Sequence, residues 1–142
     1  MGLDNGITLI TREKLDLEDW DVKPEYVSIT FDEWGTEHSD KGYEYEVCYW
    51  RKCWDVRGDI IEILNAGQDG GIYRIESIEQ VLQIREALVS YLLYPEKWRD
   101  SIWSMDEMAP HIARDIINLG WLVNYMEEHE GEKFIIEFYD SY

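Results

Sequence analysis

Apolar residues recur at every second position near both ends of the chain and at every third or fourth position between them. That order of periodicities limits the fold more than any other feature, because a two-residue repeat fits one face of a strand and a 3.6-residue repeat fits one side of a helix. Tyr26-Val-Ser-Ile-Thr-Phe31 and Tyr43-Glu-Tyr-Glu-Val-Cys-Tyr49 alternate as half-buried strands do. Gly2 to Ile10 reads as a short strand broken at Asn5-Gly6, and Lys133 to Tyr139 as a closing strand. Acidic residues 16–21 and polar residues 35–42 read as loops. Between the strands, Arg51 to Asn65 places Cys53, Val56, Ile60, Ile61 and Leu64 on one side of a helix that ends at Asn65-Ala-Gly67. Gly70-Gly71 turns into a short extended segment, Ile72 to Ile75. Ser77-Ile-Glu-Gln80 is a capping box, and it opens a helix to about Tyr94 with Val81, Leu82, Ile84, Leu88, Tyr91 and Leu92 inward. After a short helix or irregular turn over 96–105, Pro110 suits the first turn of a last helix to Glu128. Its apolar side is Ile112, Ile116, Ile117, Leu119, Val123 and Met126. Strands, then helices, then one strand predict an α+β domain over 1–142, an antiparallel or mixed sheet under about three helices.

A chain of 142 residues can bury a core without staples. Hydrophobic residues make up 45% and aromatics 14%, so the acids are not those of a disordered tail. The net charge is −18, and it is uneven. Residues 1–46 carry −9, residues 47–94 only −2, and residues 95–142 carry −7. Such a field repels nucleic acid and anionic membranes and attracts basic protein surfaces. The plainer reading of the same acids is solubility for an aromatic-rich chain. No apolar run approaches the length of a membrane span, and no targeting region is visible at the N-terminus. Cys48 and Cys53 have neither C-x-x-C nor zinc spacing and read as reduced thiols in a cytoplasm.

No motif calls for catalysis or a cofactor. Of the three histidines, His38 falls in a polar loop and His129 at a helix C-terminus. Glu107, His111 and Asp115 share a helical face by their spacing of four and form the one conceivable metal row, but the pattern is commoner on solvated helices, so no metal is assigned. Gly2 to Gly6 lacks the Lys and Ser/Thr of a P-loop, and Gly67 to Gly71 opens no helix as a dinucleotide turn would. The expectation is a binding protein, not an enzyme.

Tyr49-Trp-Arg-Lys52 is the most informative stretch, set where a strand gives way to a helix. Tyr49 and Trp50 could stack on a flat ring while Arg51 and Lys52 hold an anion, helped by helix N-terminal amides. Arg57, Arg74 and Arg85 complete a set of five bases in the nearly neutral middle of the chain that could share that site. The alternative is that Trp50 is core and Arg51 pairs with one of many carboxylates.

With Met1-Gly-Leu-Asp4, Tyr49-Trp-Arg-Lys52, the helices from Ser77 and to Glu128, and the terminal Phe138-Tyr-Asp-Ser-Tyr142, the chain resembles a group of small tailed-phage and prophage proteins. Those proteins open with the same tetrapeptide and carry the same aromatic-basic motif about a third of the way along. It departs from them after Lys52, where they continue with Ala-Asn and then Ile-His; here the residues are Cys53-Trp-Asp-Val-Arg57, so a histidine-based role does not carry over. The resemblance implies phage or prophage origin and a place in the host bacterial cytoplasm, and supplies no activity. Three functions follow as expectations. The first is interference with a host defence or nucleic-acid-handling system by occupying a basic protein surface. The second is sequestration of a nucleotide-like anion around Tyr49–Lys52. The third is a homodimeric assembly protein. Direct nucleic-acid and membrane binding are not expected.

Overall fold

The closing strand, Phe134–Ser141, returns beside the opening one, Asp4–Thr11, and that pairing organises the molecule. The computed structural model describes residues 3–12, 14–15, 25–29, 40–132 and 134–141; the side chains of 25–29, 40 and 41 are not among them. Its strands are β1 (Asp4–Thr11), β2 (Glu25–Ile29), β3 (Asp40–Arg51), β4 (Gly71–Arg74) and β5 (Phe134–Ser141). They form one antiparallel sheet in the order β2-β3-β1-β5-β4. The helices are α1 (Trp54–Leu64), α2 (Ile78–Leu93) and α3 (Met105–Glu128), with a 3-10 turn at Pro95–Lys97. The protein is thus α+β, as the order of periodicities predicts.

The helices cover one face of the sheet. Ile7, Leu9, Tyr45, Cys48, Trp50, Ile136 and Phe138 point into a single cluster with Val56, Ile60 and Ile61 of α1, Val81, Ile84 and Leu88 of α2, and Ile112, Leu119 and Leu122 of α3. The capping box at Ser77 forms as read, with the Ser77 hydroxyl accepting from the Gln80 amide and the Gln80 side chain accepting from the Ser77 amide.

Several boundaries differ, each for a physical reason. β1 runs unbroken through Asn5-Gly6, because Gly6 makes room for the Tyr139 ring on the neighbouring strand. The first helix starts at Trp54 and not Arg51: Arg51 still belongs to β3, and Lys52 takes a left-handed φ of 53° between them. The third helix starts at Met105, five residues before Pro110, because Ser104 and Glu107 form a second capping box. Pro110 is therefore the sixth residue of the helix and not in its first turn, where it has no amide to give the i−4 bond. Leu82 and Ile117 are exposed, since each lies off the stripe that its neighbours at spacings of three and four define. β3 begins at Asp40, so the end of the predicted polar loop is strand. The acidic loop at 16–21, residues 30–31 of the second predicted strand and all of 35–39, His38 included, lie outside the described residues.

Candidate functional site

Strand parity splits the Tyr49–Lys52 motif in two. Successive residues of a strand point to opposite faces, so Tyr49 and Arg51 go to the face away from the helices, while Trp50 goes under them. Tyr49 is 46% exposed, and its hydroxyl donates to Asp4 Oδ1 at 2.7 Å. Arg51 is exposed opposite Asp4, and its carbonyl accepts from the Trp103 indole at 2.8 Å. The Lys52 amide donates to the Leu3 carbonyl at 2.7 Å, which extends the β1–β3 pairing into the hinge.

Trp50 is 1% exposed and is not a stacking platform. Its Nε1 donates to Asp115 Oδ2 at 2.9 Å, and the Cys48 thiol bonds the same carboxylate. Burial raises the Asp115 carboxyl to about 7, against the lowering effect of both bonds. Burial also pushes Cys53 up to about 12 and raises Cys48, with the Asp115 charge adding to both, so neither thiol is an activated nucleophile. The Glu107–His111–Asp115 row is divided in the same way: Glu107 closes the α3 cap, His111 is exposed, and Asp115 faces the core. Among the described residues, no three His, Cys, Asp or Glu side chains converge as metal ligands would.

The predicted basic cluster does not assemble. Arg57 is buried, and its Nε donates to both oxygens of Asp140 at 3.0 and 3.1 Å while its terminal nitrogen donates to the Gln68 carbonyl. Asn5 Nδ2 reaches the same Asp140 carboxylate from β1. Arg57 thus neutralises an interior carboxylate. Arg74 stands on the edge strand β4 and pairs with Glu137 at 3.4 Å. It is three strands across from Arg51 and four residues along the sheet, roughly 14 Å in one direction and roughly 13 Å in the other at ordinary strand geometry. Arg85 lies between α2 and α3, where its Nε donates to the Ile116 carbonyl. Arg57 is interior, Arg85 lies between helices, and Arg74 shares a sheet face with Arg51 but stands far from it, so only Arg51 and Lys52 stay adjacent.

The acids, by contrast, gather in concave places that sequence reading missed. A groove of about 630 Å³ opens where the start of α2 meets the end of α3. Its rim is Glu76, Glu79, Glu127, Glu130 and Glu132, and its floor is Ile78, Met126 and Phe134; among the described residues that line it, none is basic. The last turn of α3 carries no base either, so the negative end of that 24-residue helix adds to the field. A second cleft, of about 530 Å³, lies between α1, α2 and the 95–101 connection. Asp55 Oδ2 accepts there from the amides of Arg99, Asp100 and Ser101 and from the Ser101 hydroxyl, so this carboxylate secures the connection. Asp59 bonds the Tyr91 hydroxyl, and burial raises its carboxyl. The run Glu127-Glu-His-Glu-Gly-Glu132 is visible in the sequence, but its meeting with Glu76 and Glu79 requires the antiparallel packing of α2 and α3.

No protein-family model, no curated protein and no solved structure matches this chain. No described helix is long and apolar enough to cross a membrane.

Proposed function

We propose that this chain is a non-catalytic binding protein that occupies a basic surface of another protein, of the kind that otherwise holds nucleic acid. The observation that carries the reading is the groove between α2 and α3, five glutamates around an apolar floor. A lysine or arginine side chain has an aliphatic stem and a charged head, and such a groove offers a partner to each. The net charge of −18 supplies long-range attraction toward any basic target. The phage-type resemblance directs attention to host defence and nucleic-acid-handling proteins.

The test uses host proteins that bind heparin, a polyanion standing in for nucleic acid. The pure chain is expected to inhibit DNA binding by at least one of them at low salt. Roughly 0.5 M salt should relieve the inhibition, since exposed charges are screened beyond a few ångströms there. The triple variant Glu79→Lys/Glu127→Lys/Glu130→Lys should lose it while keeping its circular dichroism and melting temperature. Inhibition that survives the triple variant, or none by the wild type, overturns the proposal.

A further inference from the structure

One row crosses the sheet on the side away from the helices, exposed at its two ends and half-buried at Tyr139 between them. Ile72 of β4 pairs with Tyr139 of β5, Tyr139 with Gly6 of β1, and Gly6 with Tyr49 of β3. Because cross-strand partners project to the same face, these four positions form a single line. Ile72 is 67% exposed on it and Tyr49 46%. The Tyr139 ring lies over Gly6, so close that a Cβ there would come within 2.4 Å of it. Both rings are held by carboxylates, Tyr49 by Asp4 at 2.7 Å and Tyr139 by Glu46 at 3.4 Å. An aromatic surface whose rotamers are already fixed loses little entropy when it is covered. Tyrosine is also the residue type enriched in protein interfaces.

The charges beside the row say what can cover it. The next row along the strands is Arg74, Glu137, Thr8 and Glu46; the row on the other side holds Ser141, Asp4 and Arg51. Two arginines stand there against three acids, a net of −1 in a chain of −18. Two copies of so acidic a chain repel one another, and these nearly balanced rows add little to that repulsion.

The face is also self-complementary. A two-fold axis parallel to the strands and midway between β1 and β5 reverses the order β4-β5-β1-β3 in the second copy. Ile72 then meets Tyr49 of the second copy, and Arg74 meets Glu46 of the second copy. Each contact is made twice, as an isologous interface requires. The strands of the two sheets stay aligned, which is the common way for sheets to stack, about 10 Å apart. We infer that the Ile72–Tyr139–Tyr49 face is a dimer interface that binds a second copy of this chain. The α2–α3 groove is on the helix-covered side, so a dimer leaves two grooves open, and the two proposals stand or fall separately.

Sedimentation equilibrium of the full chain, from nanomolar to high-micromolar concentration, is the test. The expected result is a concentration-dependent passage from 17.0 kDa to twice that mass. Ile72→Glu, at an exposed position, should leave the melting profile of the dilute protein intact and weaken association at least tenfold. Arg74→Glu and Glu46→Arg should each weaken association, and the double variant should restore it, a reversal that loss of folding cannot imitate. A mass of 17.0 kDa at every concentration overturns the inference. So does a dimer indifferent to Ile72→Glu and to the charge exchange, since it must use another face.

Discussion

The indole Nε1 of Trp50, on β3, donates to Asp115 Oδ2, on α3, at 2.9 Å inside the core. This bond joins the sheet to the longest helix and leaves a carboxylate in a place that disfavours its charge.

A pH dependence follows. The Asp115 carboxyl is raised from the ordinary 3.8 to about 7 in the folded chain. Below about pH 4 the group is protonated whether the chain is folded or not. As pH rises toward 7 the unfolded chain gives up this proton and the folded chain keeps it, so this site's contribution to stability falls over that window and then levels off. Asp115→Asn keeps an acceptor for the indole and carries no charge. It should remove that part of the decline and, at about pH 8, exceed the wild type by up to about 4 kcal/mol. Urea unfolding at several pH values measures it, and parallel profiles for the two proteins refute it.

Arg57 and Asp140 form a buried pair with both side chains under 10% exposed. Arg57→Met removes the cation and leaves the carboxylate in the interior, bonded only to Asn5 among the contacts described above. The expected loss is about 3–5 kcal/mol in chemical denaturation. Replacing both partners together by apolar residues of similar volume should cost much less, because no charge is then stranded. If the single and double variants lose the same stability, the pair does not act as a unit.

Gly6 and Tyr139 are coupled by shape. Gly6→Ala puts a methyl group where the Tyr139 ring lies, so the ring must move or β1 must bend. A loss of about 1–3 kcal/mol is expected, as for other overpacked sites. Tyr139→Ala in the Gly6→Ala background removes the conflict. The double-mutant cycle should therefore show a coupling of at least about 0.5 kcal/mol. Strict additivity would mean that the ring does not rest on the glycine.

Where local periodicity or chemistry was enough, the sequence was readable. The alternation at Tyr43–Tyr49, the helical stripe from Val81 to Tyr91 and the Ser77–Gln80 box each act over a few residues, so the α+β class and the order of elements follow from them. The Ser104–Glu107 box is equally local, but in the sequence Pro110 offers a competing helix start.

The site residues were another matter. Trp50 reads as a platform and Arg57 as an anion ligand until their partners appear. Asp115 lies 65 residues beyond Trp50, and Asp140 lies 83 beyond Arg57. No local pattern links such positions, since long-range packing decides which side of the sheet a strand residue faces and which buried charge it must satisfy. The groove likewise joins Glu79 to Glu130 only because α2 and α3 lie antiparallel, and the Ile72–Tyr139–Tyr49 line exists only through the register of four strands. The sequence by itself determined the elements, their order and the acidity of the chain, because those depend on neighbours along the backbone. The tertiary structure alone decided which charges are interior, which gather and which aromatics stay in water, because those depend on neighbours in space.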